Sequence, residues 1–121
     1  MRPVKVFLVE DSPMLRERLE KMLAAIPGAQ TVGHAPTARE AIAGIEALQP
    51  DVVVLDIRLE EGTGFDVMRA VRPSLPNVRF FVLTNFAHNG YRRMAEKLGA
   101  RGFFDKSREI AALQAALREA K

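Results

Sequence analysis

The chain has 121 residues, 48% of them hydrophobic and 27% charged, the size and balance of one globular domain, so residues 1–121 read as a single domain with no separate output domain. There is no cysteine, which excludes disulfide frameworks, thiolate zinc sites and cysteine nucleophiles together, and a cytoplasmic address fits best. Eighteen basic against fifteen acidic residues give a net charge of +3 spread along the chain, which does not point to direct nucleic-acid binding, and the apolar run after Pro3 is broken by Lys5, far too short to enter a membrane.

In chain order, a first strand is predicted over Val4 to Val9. A helix follows on Met14, Leu15, Leu19, Met22, Leu23 and Ile26, whose spacing makes one apolar stripe stopped by Pro27 and Gly28. A second strand over Thr31 to Ala35 leads to a helix opened by Thr37 and Glu40 in capping-box spacing, carrying Ala38, Ala41, Ile42, Ile45 and Leu48 and closed by Pro50. The third strand, Val52 to Leu55, is continuously apolar, as expected of a strand buried on both faces. Its helix runs from about Phe65 to Val71, capped by Thr63 and ended before Pro73. A fourth strand, Val78 to Leu83, precedes a helix on Tyr91, Met94, Ala95 and Leu98 with Gly99 behind it. A fifth strand over Gly102 to Phe104 and a last helix from Ser107 on Ile110, Leu113 and Leu117 complete the chain.

Five strand–helix alternations predict an α/β fold, a doubly wound five-stranded parallel sheet with helices on both faces. In such sheets ligands sit beyond the carboxyl ends of the strands, where the winding reverses. Glu10 and Asp11 end the first strand, Asp56 the third and Thr84 the fourth, and Lys106 follows the fifth. With strand order 2-1-3-4-5, three carboxylates crowd at the switch point and repel, which calls for a cation or a proton. Oxygen-only ligands favour Mg²⁺, which shares its shell with phosphates. Lys106 and Thr84 would meet the other oxygens of a trianionic group, and Asp56, on the most apolar strand, is the natural phosphoryl acceptor.

The segment Val6, Phe7, Leu8, Val9, Glu10, Asp11, Ser12, the strand Asp51 through Asp56, Gly64 eight residues past Asp56, Thr84, and then Gly99, Ala100, Gly102, Phe103 and Lys106 together resemble the receiver domains of bacterial two-component response regulators, with a flavodoxin-like (βα)5 fold. The resemblance implies that Asp56 is phosphorylated by a sensor histidine kinase or histidine phosphotransfer protein and that Asp11, Asp56 and the backbone carbonyl of Arg58 bind Mg²⁺. It also implies that Glu10 supports the metal through water, Lys106 pairs with the phosphoryl group and Thr84 moves to hydrogen-bond it. Phe103 would then turn inward and change the face made by the fourth helix, fifth strand and fifth helix. Arg92, Arg93, Lys97, Arg101 and Arg108 gather there as a candidate surface for a downstream protein target or a homodimer. With Arg69 and Arg72, they otherwise read as solvated helix faces.

Five positions depart from the family pattern. Ser107 stands where proline usually follows the lysine, and is expected instead to cap the last helix. Asn85 and bulky Phe86 follow Thr84, and Arg58 lies two residues past Asp56, so access is restricted and slow self-hydrolysis is expected. Glu60 replaces a common proline, which suggests a more mobile loop. His34 and His88 are read as surface residues, with His88 near the rim of the site, and Tyr91 as packing. A Mg²⁺-dependent phosphatase would place an acid/base carboxylate where Arg58 stands, so turnover is not expected. The remaining alternatives are a scaffold that takes no phosphate and a receiver excised from a longer regulator.

Overall fold

Strand and helix alternate five times in the computed structural model, which describes residues 2–120. The elements are β1 (Val4–Val9), α1 (Pro13–Ala24), β2 (Ala29–Ala35), α2 (Ala38–Leu48), β3 (Val52–Leu55), α3 (Gly64–Val71), β4 (Arg79–Thr84), α4 (Asn89–Lys97), β5 (Gly102–Asp105) and α5 (Ile110–Glu119). All pairings are parallel and the order is β2-β1-β3-β4-β5, as the sequence predicts. The sheet divides the interior in two. Val53, Leu55, Phe80, Val82 and Phe103 pack under α2, α3 and α4 on one face, while Val52, Val54, Phe81 and Leu83 pack under α1 and α5 on the other. Phe103 and Phe104 go to opposite faces because side chains alternate along a strand.

Local chemistry starts the helices. Ser12 Oγ accepts from the Leu15 amide at 3.3 Å with Pro13 at the first helical position. Thr37 Oγ1 accepts from the Glu40 amide at 3.2 Å, but the Glu40 carboxylate takes the Thr37 hydroxyl rather than its amide, so half of the expected capping box forms. The complete box is at Thr63 and Asp66, each side chain accepting from the other's amide.

Three expectations shift. β2 begins at Ala29 rather than Thr31, because Gly28, at φ +83°, turns the chain straight into pairing with Val4. α5 begins at Ile110, and Ser107 does not cap it. Asp105 Oδ1 draws both the amide (2.8 Å) and the hydroxyl (2.6 Å) of Ser107 into a turn. Met14 leaves the apolar stripe of α1 and stands 79% exposed.

A tight interlock sets β1 against β2 and α2. A Cβ on Gly33 would lie 2.9 Å from the Phe7 ring, and one on Gly44 2.8 Å from it, so the phenyl group fits because both neighbours are bare backbone. The β1–β2 register shifts between Val6 and Phe7 at this point.

The edge away from the strand C-termini is tied by polar brackets. Arg72 was expected on a solvated face, yet its guanidinium lies over the Phe80 ring and donates to the carbonyls of Pro76, Val78, Leu98 and Gly99. It therefore joins the end of α3 to the start of β4 and the end of α4. Arg79 donates to the Ala120 carbonyl at the end of α5. Asp51 accepts from the Lys5 amide at 2.8 Å and pairs with Arg2 at 2.7 Å, linking β1 to β3. Burial would raise its pKa, but the Lys5 amide and the Arg2 guanidinium more than reverse this and hold the carboxyl below its ordinary value of 3.8.

A depressed carboxylate contributes stability above its unfolded pKa and loses it as pH falls through the folded one. Asp51→Asn is therefore expected to lower unfolding free energy by about 1–2 kcal/mol at neutral pH. In denaturant titrations from pH 7 downward, the difference from the parent should begin to narrow as pH approaches 3.8 and close below it. A pH-independent difference would contradict this account.

Candidate functional site

Parallel pairing delivers the C-terminal ends of β1, β3, β4 and β5 to one edge. The Glu10 amide donates to the Ala35 carbonyl and the Asp56 amide to the Val9 carbonyl, so both carboxylates are set by the sheet's own ladder. Glu10 and Asp56 are buried and Asp11 is half-buried, and one oxygen from each lies within 4.8 Å of the others. The expected convergence of these three residues is what the structure has.

Lys106 reaches across to them. Its Nζ lies 2.6 Å from Asp56 Oδ2 and 2.9 Å from Glu10 Oε1, although no proline follows it and the described chain has no cis peptide. The Ile57 amide donates to Asp56 Oδ1 at 2.7 Å, fixing the carboxylate's rotation. The Ser12 amide donates to Glu10 Oε2 at 3.1 Å. Two carboxylates at such separation repel by about 3–4 kcal/mol at an effective dielectric of 20, and one ammonium cannot offset three of them. Burial, with a smaller push from the Asp56 charge, raises the Glu10 pKa above its ordinary value in spite of Lys106. For Lys106, burial acts downward, and its bonds to Asp56 and Glu10 outweigh it and hold the ammonium above its ordinary range. A hard divalent cation fits this donor set, because every donor is an oxygen and two negative charges exceed what Lys106 balances.

Thr84 ends β4 fully buried, and its Oγ1 accepts from the Phe86 amide at 3.1 Å. Phe86 stands 38% exposed, with the Arg58 guanidinium 4.7 Å above its ring. Two of the departures from the family pattern thus pack on each other. The loop between β3 and α3 is closed rather than loose. Arg58 bridges Thr63, the Leu59 amide donates to the Gly62 carbonyl, and the Glu61 carbonyl accepts from Ala38 at the start of α2, with Glu60 exposed at the tip. Gly64 is required by proximity, since a Cβ there would lie 2.3 Å from the Asp56 carbonyl oxygen. The residue spaced eight beyond the acceptor is the floor under it.

Phe103 is already packed inward, 7% exposed, rather than waiting outside. Arg92 lies over its ring and is half-buried, so it leaves the expected basic surface, while Arg93, Lys97, Arg101 and Arg108 remain exposed. Asp105 points away from the site into the Ser107 turn, where the Ser107 hydroxyl and amide lower its pKa. His34 is exposed on β2. His88 holds a place that sequence reasoning missed. Its Nδ1 accepts from the Tyr91 amide at 3.3 Å as the N-cap of α4, and its ring lies 3.9 Å from that of Tyr91. Tyr91 packs edge-on against Phe65, as expected for a residue of the apolar stripe. The signal for the cap was position alone, one residue before the Asn-Gly that opens the helix.

Among the described residues no helix is long and apolar enough to cross a membrane. The family profile described as the response regulator receiver domain matches residues 6–118. The chain is 38% identical over 103 residues to the DNA-binding transcriptional activator DevR/DosR of Mycobacterium tuberculosis, covering 85% of this chain and 48% of that protein. It spans about half the length of the curated relatives it matches. Among solved structures, it superposes with a TM-score of 0.87 and 29% identity on the signal receiver domain of the putative response regulator NarL from Mycobacterium tuberculosis, covering 99% of this chain and 98% of that one. A LuxR-family two-component response regulator from Aurantimonas sp. SI85-9A1 gives 0.90 and 28%, over 97% and 84%. A matching profile over nearly the whole chain, on a sheet that gathers the acidic cluster at its switch point, places the chain in the family of response regulator receiver domains of two-component systems.

Proposed function

We propose that this receiver accepts a phosphoryl group on Asp56 from the phosphohistidine of a sensor kinase or phosphotransfer protein and signals by changing a partner-binding surface. The observation that carries the reading is Lys106 Nζ at 2.6 Å from Asp56 Oδ2 inside the cluster of Glu10, Asp11 and Asp56. The carboxylates of Asp11 and Asp56 and the backbone carbonyl of Arg58 would hold Mg²⁺, with Glu10 acting through water. When bound, the ion neutralises charge on the incoming phosphoryl oxygens.

The rest falls to the chain's own groups. The Ile57 amide keeps the Asp56 carboxylate oriented for in-line attack as the phosphorus–nitrogen bond breaks and the phosphorus–oxygen bond forms. Lys106 exchanges its bond with Asp56 for one with a phosphoryl oxygen. Thr84 gives up the Phe86 amide and turns its hydroxyl to another oxygen. Arg58 and Phe86, stacked on each other, screen the acyl phosphate from water. Arg58 stands where a phosphatase of this architecture has its acid/base, which supports self-dephosphorylation without turnover of other substrates. We take the receiver to act in the cytoplasm as a single, stand-alone domain. A second reading, the input half of a DNA-binding regulator, is favoured by relatives of about twice this length.

Acetyl phosphate with Mg²⁺ should give a single base-labile adduct by intact mass, lost in EDTA and in Asp56→Ala. If neither acetyl phosphate nor beryllofluoride acts on the parent protein, the proposal fails. Gly64→Ala should destabilise the fold by about 1–3 kcal/mol in urea titrations, as its Cβ displaces the Asp56 backbone, and should slow adduct formation. Truncating Arg58 and Phe86 together to alanine should shorten the phosphorylated lifetime severalfold, and a longer lifetime would contradict the screening role.

A further inference from the structure

α4 rests lightly on the sheet. Of its residues Ala95 is the buried one, and its first turn leans on the His88–Tyr91 pair. Its far end is fixed, because Arg72 donates to the carbonyls of Leu98 and Gly99. Between these two ends, where Tyr91, Met94 and Ala95 pack against the core cluster that holds Phe103, Arg92 adds a polar grip on β5. Arg92 Nη1 donates to the Phe103 carbonyl at 3.3 Å, and the same guanidinium covers the Phe103 ring at 4.7 Å. A ring held under a guanidinium anchored to that ring's own backbone cannot turn to solvent without losing the stack and displacing the arm.

We propose that Arg92 is a latch that keeps Phe103 packed inward while Asp56 is unphosphorylated. The face formed by α4 and β5 is then set by this contact, and movement of Thr84 on phosphorylation favours the inward ring by a route that does not need the latch. Arg92 is a positioning residue, and the inference rests on the reading of Thr84 and Phe103 as the switch pair. Lysine at this position would keep the charge but lose the plane and the fork, and so would restore the contact only in part.

The chain has no tryptophan, so Phe103→Trp supplies one emitter. Emission wavelength and acrylamide quenching are read in that background with Arg92, Arg92→Lys and Arg92→Ala, each without and with beryllofluoride and Mg²⁺. With Arg92 present the indole should be shielded in both conditions. Arg92→Ala should shift the inward-to-outward ratio by roughly tenfold toward solvent without beryllofluoride, the change expected from losing one stack and one hydrogen bond together. Arg92→Lys should fall between, and beryllofluoride with Mg²⁺ should return the indole to the interior in Arg92→Ala. Because indole is larger than phenyl, the native ring is followed in parallel by fluorine NMR of fluorophenylalanine-labelled protein, its resonance assigned by Phe103→Leu. Unchanged quenching and an unchanged fluorine shift in Arg92→Ala would overturn the latch. Exposure on Arg92→Ala that beryllofluoride does not reverse would uphold the latch and overturn instead the reading of the site as a phosphoacceptor switch.

Discussion

Glu10, Asp11 and Asp56 present oxygens within 4.8 Å of one another, and Lys106 lies within bonding distance of two of the three. Folding assembles this cluster because each carboxylate follows directly on a buried strand whose pairing leaves it no other place to go. The β1 and β3 ladder aligns Val9 with Leu55, and the acids come next. Lys106 comes from the edge strand β5, so its ammonium also ties that edge back to the centre of the sheet. Site charge and sheet closure are thus one arrangement. The repulsion among these three carboxylates is of the kind that a divalent cation would relieve.

The predictable part of the molecule is the part governed by periodicity and burial. Val52–Leu55, a continuous apolar run, could only be a strand covered on both faces, and the acidic and hydroxyl residues at strand ends then had to share one edge. What escaped sequence reading was the work of long side chains. Arg72 and Arg92 look like surface charge and Arg58 like a cover over the site, yet each lies over a ring from another element or loop, Phe80, Phe103 and Phe86 respectively. No spacing rule encodes such pairs, because an arginine's reach spans several choices of partner and the three-dimensional neighbour decides. The start of α5 escaped for another reason. Asp105, Ser107 and Glu109 compete for the same few amides, and Asp105 wins Ser107 before the helix can use it as a cap.

Rigid and yielding regions are distributed unevenly around the sheet. At the end opposite the acids, Asp51, Arg72 and Arg79 cross-link neighbouring strands and helices through backbone groups. At the acidic end, the floor beneath Asp56 is Gly64 with no room to spare, while α4 has one buried residue and a histidine cap. The acidic edge therefore has a stiff floor in Gly64 and a lightly packed neighbour in α4. This is the geometry a two-state element needs: one anchored end, one lightly held end and a side-chain grip between them.

Phe7, Gly33 and Gly44 fill one volume from three separate elements, β1, β2 and α2. Each position taken alone tolerates little, since a larger side chain at either glycine collides with the ring and a smaller one at position 7 leaves a void. The three together behave as a single packing unit whose members can drift only in concert, a shrinking ring permitting a growing neighbour. Sequence divergence in this half of the molecule should therefore proceed by compensated exchanges, and a functional surface borne by β2 or α2 could be remodelled without disturbing β1 only along that shared constraint.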